Sequence, residues 1–190
     1  MSRALQALIS TSVIMFIIPC IGFIINLITD RIIRILFKHF GGGFTKLVAN
    51  YLTFVGTVHH ELSHAIFAFL TGAKIVKIDL FCPSGHTLGK VLLNTRGNVL
   101  TKSIQLTMSA IAPVVLGCVT EYILIRYVIT NSLNGVTSFV IYYFILSILL
   151  HMTMSKQDIK NAIKGLPICV CIVYIIVLAT GFDVISLLKM

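Results

Sequence analysis

The chain has 190 residues, 57% of them hydrophobic and 11% charged, with a mean hydropathy of +1.01. A soluble fold of this size leaves much of its chain against water and carries about a quarter of its residues charged, so this composition excludes a soluble domain and makes lipid the solvent. The net charge of +9 sits mainly between apolar runs, as in membrane proteins, and no Lys/Arg-rich run interleaved with aromatics points to nucleic acid.

A spanning helix needs about 20 mostly apolar residues. The first such run, about Leu5 to Ile28, lacks a small-residue cleavage site and reads as a retained anchor rather than a signal peptide. Between Asp30 and Lys46, Arg31, Arg34 and Lys38 recur at helical spacing before Gly41-Gly42-Gly43, the pattern of a short interfacial helix or of a solvated basic loop. A second span runs from about Leu47 to Thr71. Lys74 to Leu80 then alternates polar and apolar residues, the period of a strand; Cys82 to His86 supplies turn residues, and Thr87 to Leu93 reads as the return strand. A third span covers about Ile104 to Ile129, with Pro113 and Gly117 expected to bend it. The fourth covers about Val136 to His151 and the fifth about Leu166 to Leu188. With no internal repeat or low-complexity linker, residues 1–190 form one multi-pass domain. The predicted fold is an all-α membrane protein of about five transmembrane helices, with a small β-hairpin after the second. The distribution of basic residues over the loops puts the N-terminus on the cytoplasmic side. The five cysteines contain no CxxC pair and are odd in number, so they indicate neither a disulfide framework nor a cysteine zinc site.

Chemistry concentrates in the second span, at His60-Glu61-Leu62-Ser63-His64. Residues four apart lie on one helix face, so His60 and His64 can direct two imidazole nitrogens at one tetrahedral zinc. Glu61, one position along, stays out of the ligand set but near a reacting water, where it can act as a general base. From six His and two Glu in 190 positions, chance yields HExxH in about 0.2% of such chains. The pattern also occurs in helices with no metal, but ionisable groups inside an apolar span are costly and usually functional. His59 points to a different face, which favours an interfacial or supporting role over ligation. A third ligand must come from Asp30, Asp79, Glu121, Asp158, Asp183, His39, His86 or His151. Depth favours Asp158, with His151 in reserve or supporting the site. Ser155-x-x-Asp158 is equally the signature of a capping box opening a helix that ends near Gly165-Leu166-Pro167, and one residue is poorly suited to serve both purposes. Glu121 either lines the cavity or pairs with Arg126. His86, Asn94 and Asn98 read as substrate contacts or as ordinary loop residues.

His60-Glu-Leu-Ser-His64 with Ala65, then Leu70-Thr71-Gly72-Ala73, a strand-rich segment with Pro83, Gly85 and Gly89, and Ser155-x-x-Asp158 with Gly165 together resemble the site-2 protease family of intramembrane zinc metalloproteases. The likeness is to its compact members and covers a core of about 47–165. It implies one zinc ion per chain held by His60, His64 and Asp158, with Glu61 as the general base and membrane proteins or peptides as substrates. Two features depart from the family pattern. Ser63 stands where glycine is usual, and no Asn-Pro-Asp-Gly or Leu-Asp-Gly element accompanies Asp158. The length leaves no room for a PDZ or CBS domain, so regulation is expected from a membrane partner or from the bilayer itself. The competing expectation is a non-proteolytic membrane protein with a structural or regulatory zinc site. A transporter is a third, but it would spread ionisable residues over several spans.

Overall fold

The structure, a computed structural model, describes residues 2–82, 88–132 and 134–187. Five long α-helices and one hairpin make it up. Helix α1, Arg3–Lys46, is capped by Ser2, whose Oγ accepts from the Leu5 amide. Its 44 residues correspond to about 66 Å, twice the thickness of a bilayer's hydrocarbon core. Residues 30–46, expected as a short interfacial helix or a solvated basic loop, are therefore a helical continuation of the first span. It breaks only at Gly41, where φ 74° and ψ 174° suit a residue without a Cβ. A π-helical turn, Leu47–Leu52, and Thr53 then lead into α2, Phe54–Leu70.

Strand β1, Lys74–Asp79, pairs antiparallel with β2, Lys90–Asn94, setting Lys74 opposite Asn94 and Asp79 opposite Lys90. Lys77 Nζ meets Asp79 Oδ2 at 2.6 Å, and this bond raises the lysine's pKa above its ordinary value. The return strand thus starts three residues later than expected. Thr87, like His86, lies outside the described residues.

Helix α3, Val99–Thr130, is capped by Asn98, and α4, Gly135–His151, by Asn134. Helix α5, Lys156–Thr180, is capped by Ser155 and closed by Gly181 in the left-handed conformation. The helix end expected near Gly165-Leu166-Pro167 does not occur, and α5 runs through all three into what was read as a separate fifth span. Two causes act here. Apolar helices tolerate proline when neighbouring groups absorb the lost hydrogen bond. Gly165 serves close packing rather than termination, since a Cβ there would strike the Ser103 carbonyl and Thr107 Oγ1 of α3. A four-residue helix α6, Val184–Leu187, follows.

Helix α1 runs antiparallel to α4 and then to α5. Thr29 donates to the Leu150 carbonyl, Gly22 abuts Met154, and Arg3 donates to the Ala179 carbonyl. Helices α4 and α5 thus pass along α1 in one direction. The break between them, residues 152–155, packs against Gly22 of α1 and Gly117 of α3, both far from their helix ends. The N-terminus of α5 therefore begins inside the bundle.

Buried positions hold small and hydroxyl side chains, among them Ser10, Ser63, Ala68, Ala112 and Ser147, while Phe69, Val136 and Phe139 are about three-quarters exposed. This is the reverse of a water-soluble core. In lipid, burying Leu or Phe gains little, and small residues let helices approach closely. Helices α1, α3 and α5 are long and apolar enough to cross a membrane. Helices α2 and α4 have 17 residues each, about 26 Å. All five cysteines are free.

The close approaches give a direct test. A Cβ on Gly56 would collide with the Ser147 carbonyl and His151 Nδ1, whereas one on Gly135 meets nothing within 4 Å. Gly56→Ala and Gly165→Ala should each destabilise the protein by about 1–3 kcal/mol through overpacking. Thermal unfolding in detergent should show lowered midpoints for both and an unchanged one for Gly135→Ala.

Candidate metal centre

Helix α2 presents His60 and His64 one turn apart, with ring centroids 4.8 Å from each other. Each ring is fixed by a backbone carbonyl of another helix. His60 Nδ1 donates to the His151 carbonyl at 2.7 Å, and His64 Nδ1 donates to the Ser109 carbonyl at 2.7 Å. A carbonyl can only accept, so both protons reside on Nδ1, and both Nε2 atoms carry lone pairs. These two Nε2 atoms lie 3.1 Å apart. The carboxylate of Asp158 completes the group, its Oδ1 standing 3.6 Å from His64 Nε2. The three ligand atoms all lie within 4.8 Å of one another.

Three converging acceptors repel one another unless a cation lies between them. In a tetrahedral site with bonds of about 2.0–2.1 Å, ligand atoms are about 3.3 Å apart. The observed 3.1 and 3.6 Å bracket that edge. Two of the three pairs thus have the spacing of a zinc site, and all three donors are of the type that zinc takes.

Asp158 serves as the cap and is also placed beside the two imidazoles, the two positions that the sequence set against each other. Its Oδ2 accepts from the Ser155 amide at 2.9 Å while Ser155 Oγ accepts from the Asp158 amide at 3.1 Å, a complete capping box. This leaves Oδ1 to face His64. The cap orients the ligand. It can do so because α5 starts inside the bundle, beside α2.

Other predicted residues fall around this centre. His151 supports His60 through its backbone carbonyl, while its own ring donates from Nδ1 to the Ser147 carbonyl at 2.9 Å. His59 lies on another face, its Nε2 3.0 Å from Thr120 Oγ1. Ser63 is buried and donates to the His59 carbonyl at 2.7 Å, so the hydroxyl at this tight position is satisfied within its own helix. Asn98 caps α3 and Asn94 sits in the hairpin ladder. Glu121 is buried with Oε1 unbonded, and no ion pair joins it to Arg126.

A cavity of about 600 Å³ opens over the three ligands, walled by β2, α3 and the start of α5. The β2 wall is close to Glu61. A Cβ on Gly89 would stand 2.5 Å from Glu61 Cγ, and the Val91 amide is directed at the Glu61 carboxylate. Gln105, which sequence reasoning passed over, ties this wall in place. Its Oε1 accepts from the Arg96 amide at 2.8 Å, and its Nε2 donates to the Thr71 carbonyl at 3.1 Å, joining the hairpin base, the end of α2 and α3. The only signal available was a glutamine near the start of the third predicted span, among Ser103, Thr107 and Ser109. Compared with protein-family models, curated proteins and solved structures, the chain matches none of them.

Proposed function

We propose that this chain is an intramembrane zinc metalloendopeptidase, similar in its centre to the site-2 proteases, hydrolysing peptide bonds of membrane-associated substrates. The observation that carries the reading is the convergence of His60 Nε2, His64 Nε2 and Asp158 Oδ1, with Glu61 on the same helix at the edge of one cavity. Those three residues would hold the metal. Zinc bound there supplies a Lewis acid that polarises a substrate carbonyl and makes water more acidic.

The chain's own groups do the rest. Glu61 takes a proton from the attacking water and delivers it to the leaving amine. The carbonyls of Ser109 and His151 keep both imidazoles in the tautomer that leaves Nε2 free. Strand β2 lies alongside Glu61, so an extended substrate segment can rest in the cavity with its scissile bond beside the carboxylate. A substrate helix must therefore unwind locally. Small residues on the walls, Ala73, Gly89 and Ala110, leave room for that backbone.

A structural zinc site, the competing reading, has no use for a carboxylate held beside the ligands. The two are separated by assaying purified protein in lipid nanodiscs against a membrane-spanning peptide. Cleavage should be zinc-dependent, abolished by chelation and restored by added zinc. A protein that binds zinc stoichiometrically yet cuts no membrane peptide would favour the structural site.

A further inference from the structure

Gln105 is buried in α3, 4% exposed, and holds both ends of the hairpin at once. Its Nε2 donates to the Thr71 carbonyl, three residues before β1, and its Oε1 accepts from the Arg96 amide, two residues after β2. A carboxamide can do this because it offers a donor and an acceptor on separate atoms. Both partners are main-chain groups, so the two bonds fix where the backbone enters and leaves the hairpin. One turn further along α3, the Ser109 carbonyl accepts from His64 Nδ1. Residues four apart share a helix face, so one face of α3 sets the hairpin and a metal ligand in a common frame. Both Gln105 and Ser109 line the cavity.

Precision matters at the other end of this arm. Gly89, seven residues from Arg96, lies against Glu61. At about 3.3 Å per residue the arm is about 23 Å long, so a tilt of a few degrees at its base moves Gly89 by about 1 Å. Phe81 rests on Tyr51 and Phe54, with ring centroids 6.5 and 5.7 Å apart. Those rings steady the hairpin but set no register, because apolar attraction is not directional. The Thr101 hydroxyl donates to the Arg96 carbonyl at 3.1 Å and so holds one end, whereas Gln105 ties both.

We propose that Gln105 is a positioning residue that selects the bond to be cut. By fixing the base of the hairpin it holds β2, and the substrate segment lying along it, in register with the metal centre and Glu61. This rests on the cavity being the substrate site of the proposed protease. Successive residues of an extended segment are about 3.3 Å apart and face alternate ways, so a loosened β2 offers neighbouring bonds to Glu61.

The test uses the full zinc-loaded chain in lipid nanodiscs with a membrane-spanning peptide, the products being identified by mass spectrometry. The wild-type chain should cut at one bond. Gln105→Met keeps the length of the side chain and removes both hydrogen bonds. It should spread cleavage over neighbouring bonds and lower kcat by about 10–100-fold, as a misplacement of about 1 Å does, with KM and zinc content unchanged. Gln105→Glu keeps an oxygen for the Arg96 amide and should fall between the two; it also carries the test if the methionine variant does not fold. Ser10→Leu, which overpacks a buried position of α1 beside Val184, controls for lost stability: its thermal midpoint should fall while the single cut is kept. Hydrogen exchange over residues 74–96 reads the hairpin directly and should rise in Gln105→Met. An unchanged single cut in both Gln105 variants, or loss of zinc from either, overturns the proposal. So does a spread of cuts in Ser10→Leu, which would make the effect one of stability. Absence of cleavage by the wild-type chain would instead sink the protease reading, and the exchange comparison would still decide whether Gln105 holds the strand.

Discussion

Glu61→Gln should abolish cleavage while leaving zinc bound. The substitution keeps the shape of the side chain and removes its capacity to accept a proton, so turnover should fall by about 10²–10⁴, the usual contribution of a positioned general base. The metal content should stay at the wild-type level, because Glu61 is not among the three converging ligand atoms. Metal analysis and peptide cleavage on one preparation check both halves, and retained cleavage would sink the mechanism. Gly89→Ala is the complementary variant. Its Cβ would press on Glu61 Cγ, so cleavage should slow with zinc again unchanged. If Gly89→Ala lost the metal, the hairpin would be supporting the ligands rather than the base.

The second large effect is on the metal. Adding zinc to the metal-free wild-type protein should raise its thermal midpoint, since a ligand that binds only the folded state stabilises it by about 2.7 kcal/mol at a hundredfold excess over Kd. His64→Ala and Asp158→Ala should abolish that rise. They should also differ from each other without metal. His64→Ala removes one ring and its bond to the Ser109 carbonyl, whereas Asp158→Ala also breaks the capping box, a loss of about 1 kcal/mol. Ser155→Ala isolates the cap: it should lower the metal-free midpoint by a similar amount and weaken zinc binding only modestly. A response to zinc in Asp158→Ala equal to that of wild type would remove Asp158 from the ligand set and return His151 to consideration.

Much of the outline was legible in the chain. Apolar runs of spanning length place the helices, and the period-2 run at Lys74 places β1, because these patterns depend on neighbours a few residues apart. The pairing of His60 with His64 is likewise local, a consequence of helical pitch. Helix ends were harder to read. Gly41 ends a helix and Gly165 does not, although both are glycines beside a basic stretch. The difference lies in what surrounds them: a left-handed backbone at Gly41, and the Ser103 carbonyl of a distant helix at Gly165.

The amino-acid sequence by itself determined the lipid environment, the helical class with its hairpin, and the presence of two imidazoles and a carboxylate on one helix. The tertiary structure alone decided the rest of the centre. It turned Nδ1 of both histidines onto the carbonyls of Ser109 and His151, which lie 45 and 91 residues away in the chain. It began α5 inside the bundle, so that the capping carboxylate of Asp158 could offer its second oxygen to His64. It also laid Gly89 and Val91 against Glu61. Each of these depends on backbone atoms or on an oxygen left over from a local hydrogen bond. Such groups are present at every position of a chain and acquire a function only through what folding brings opposite them.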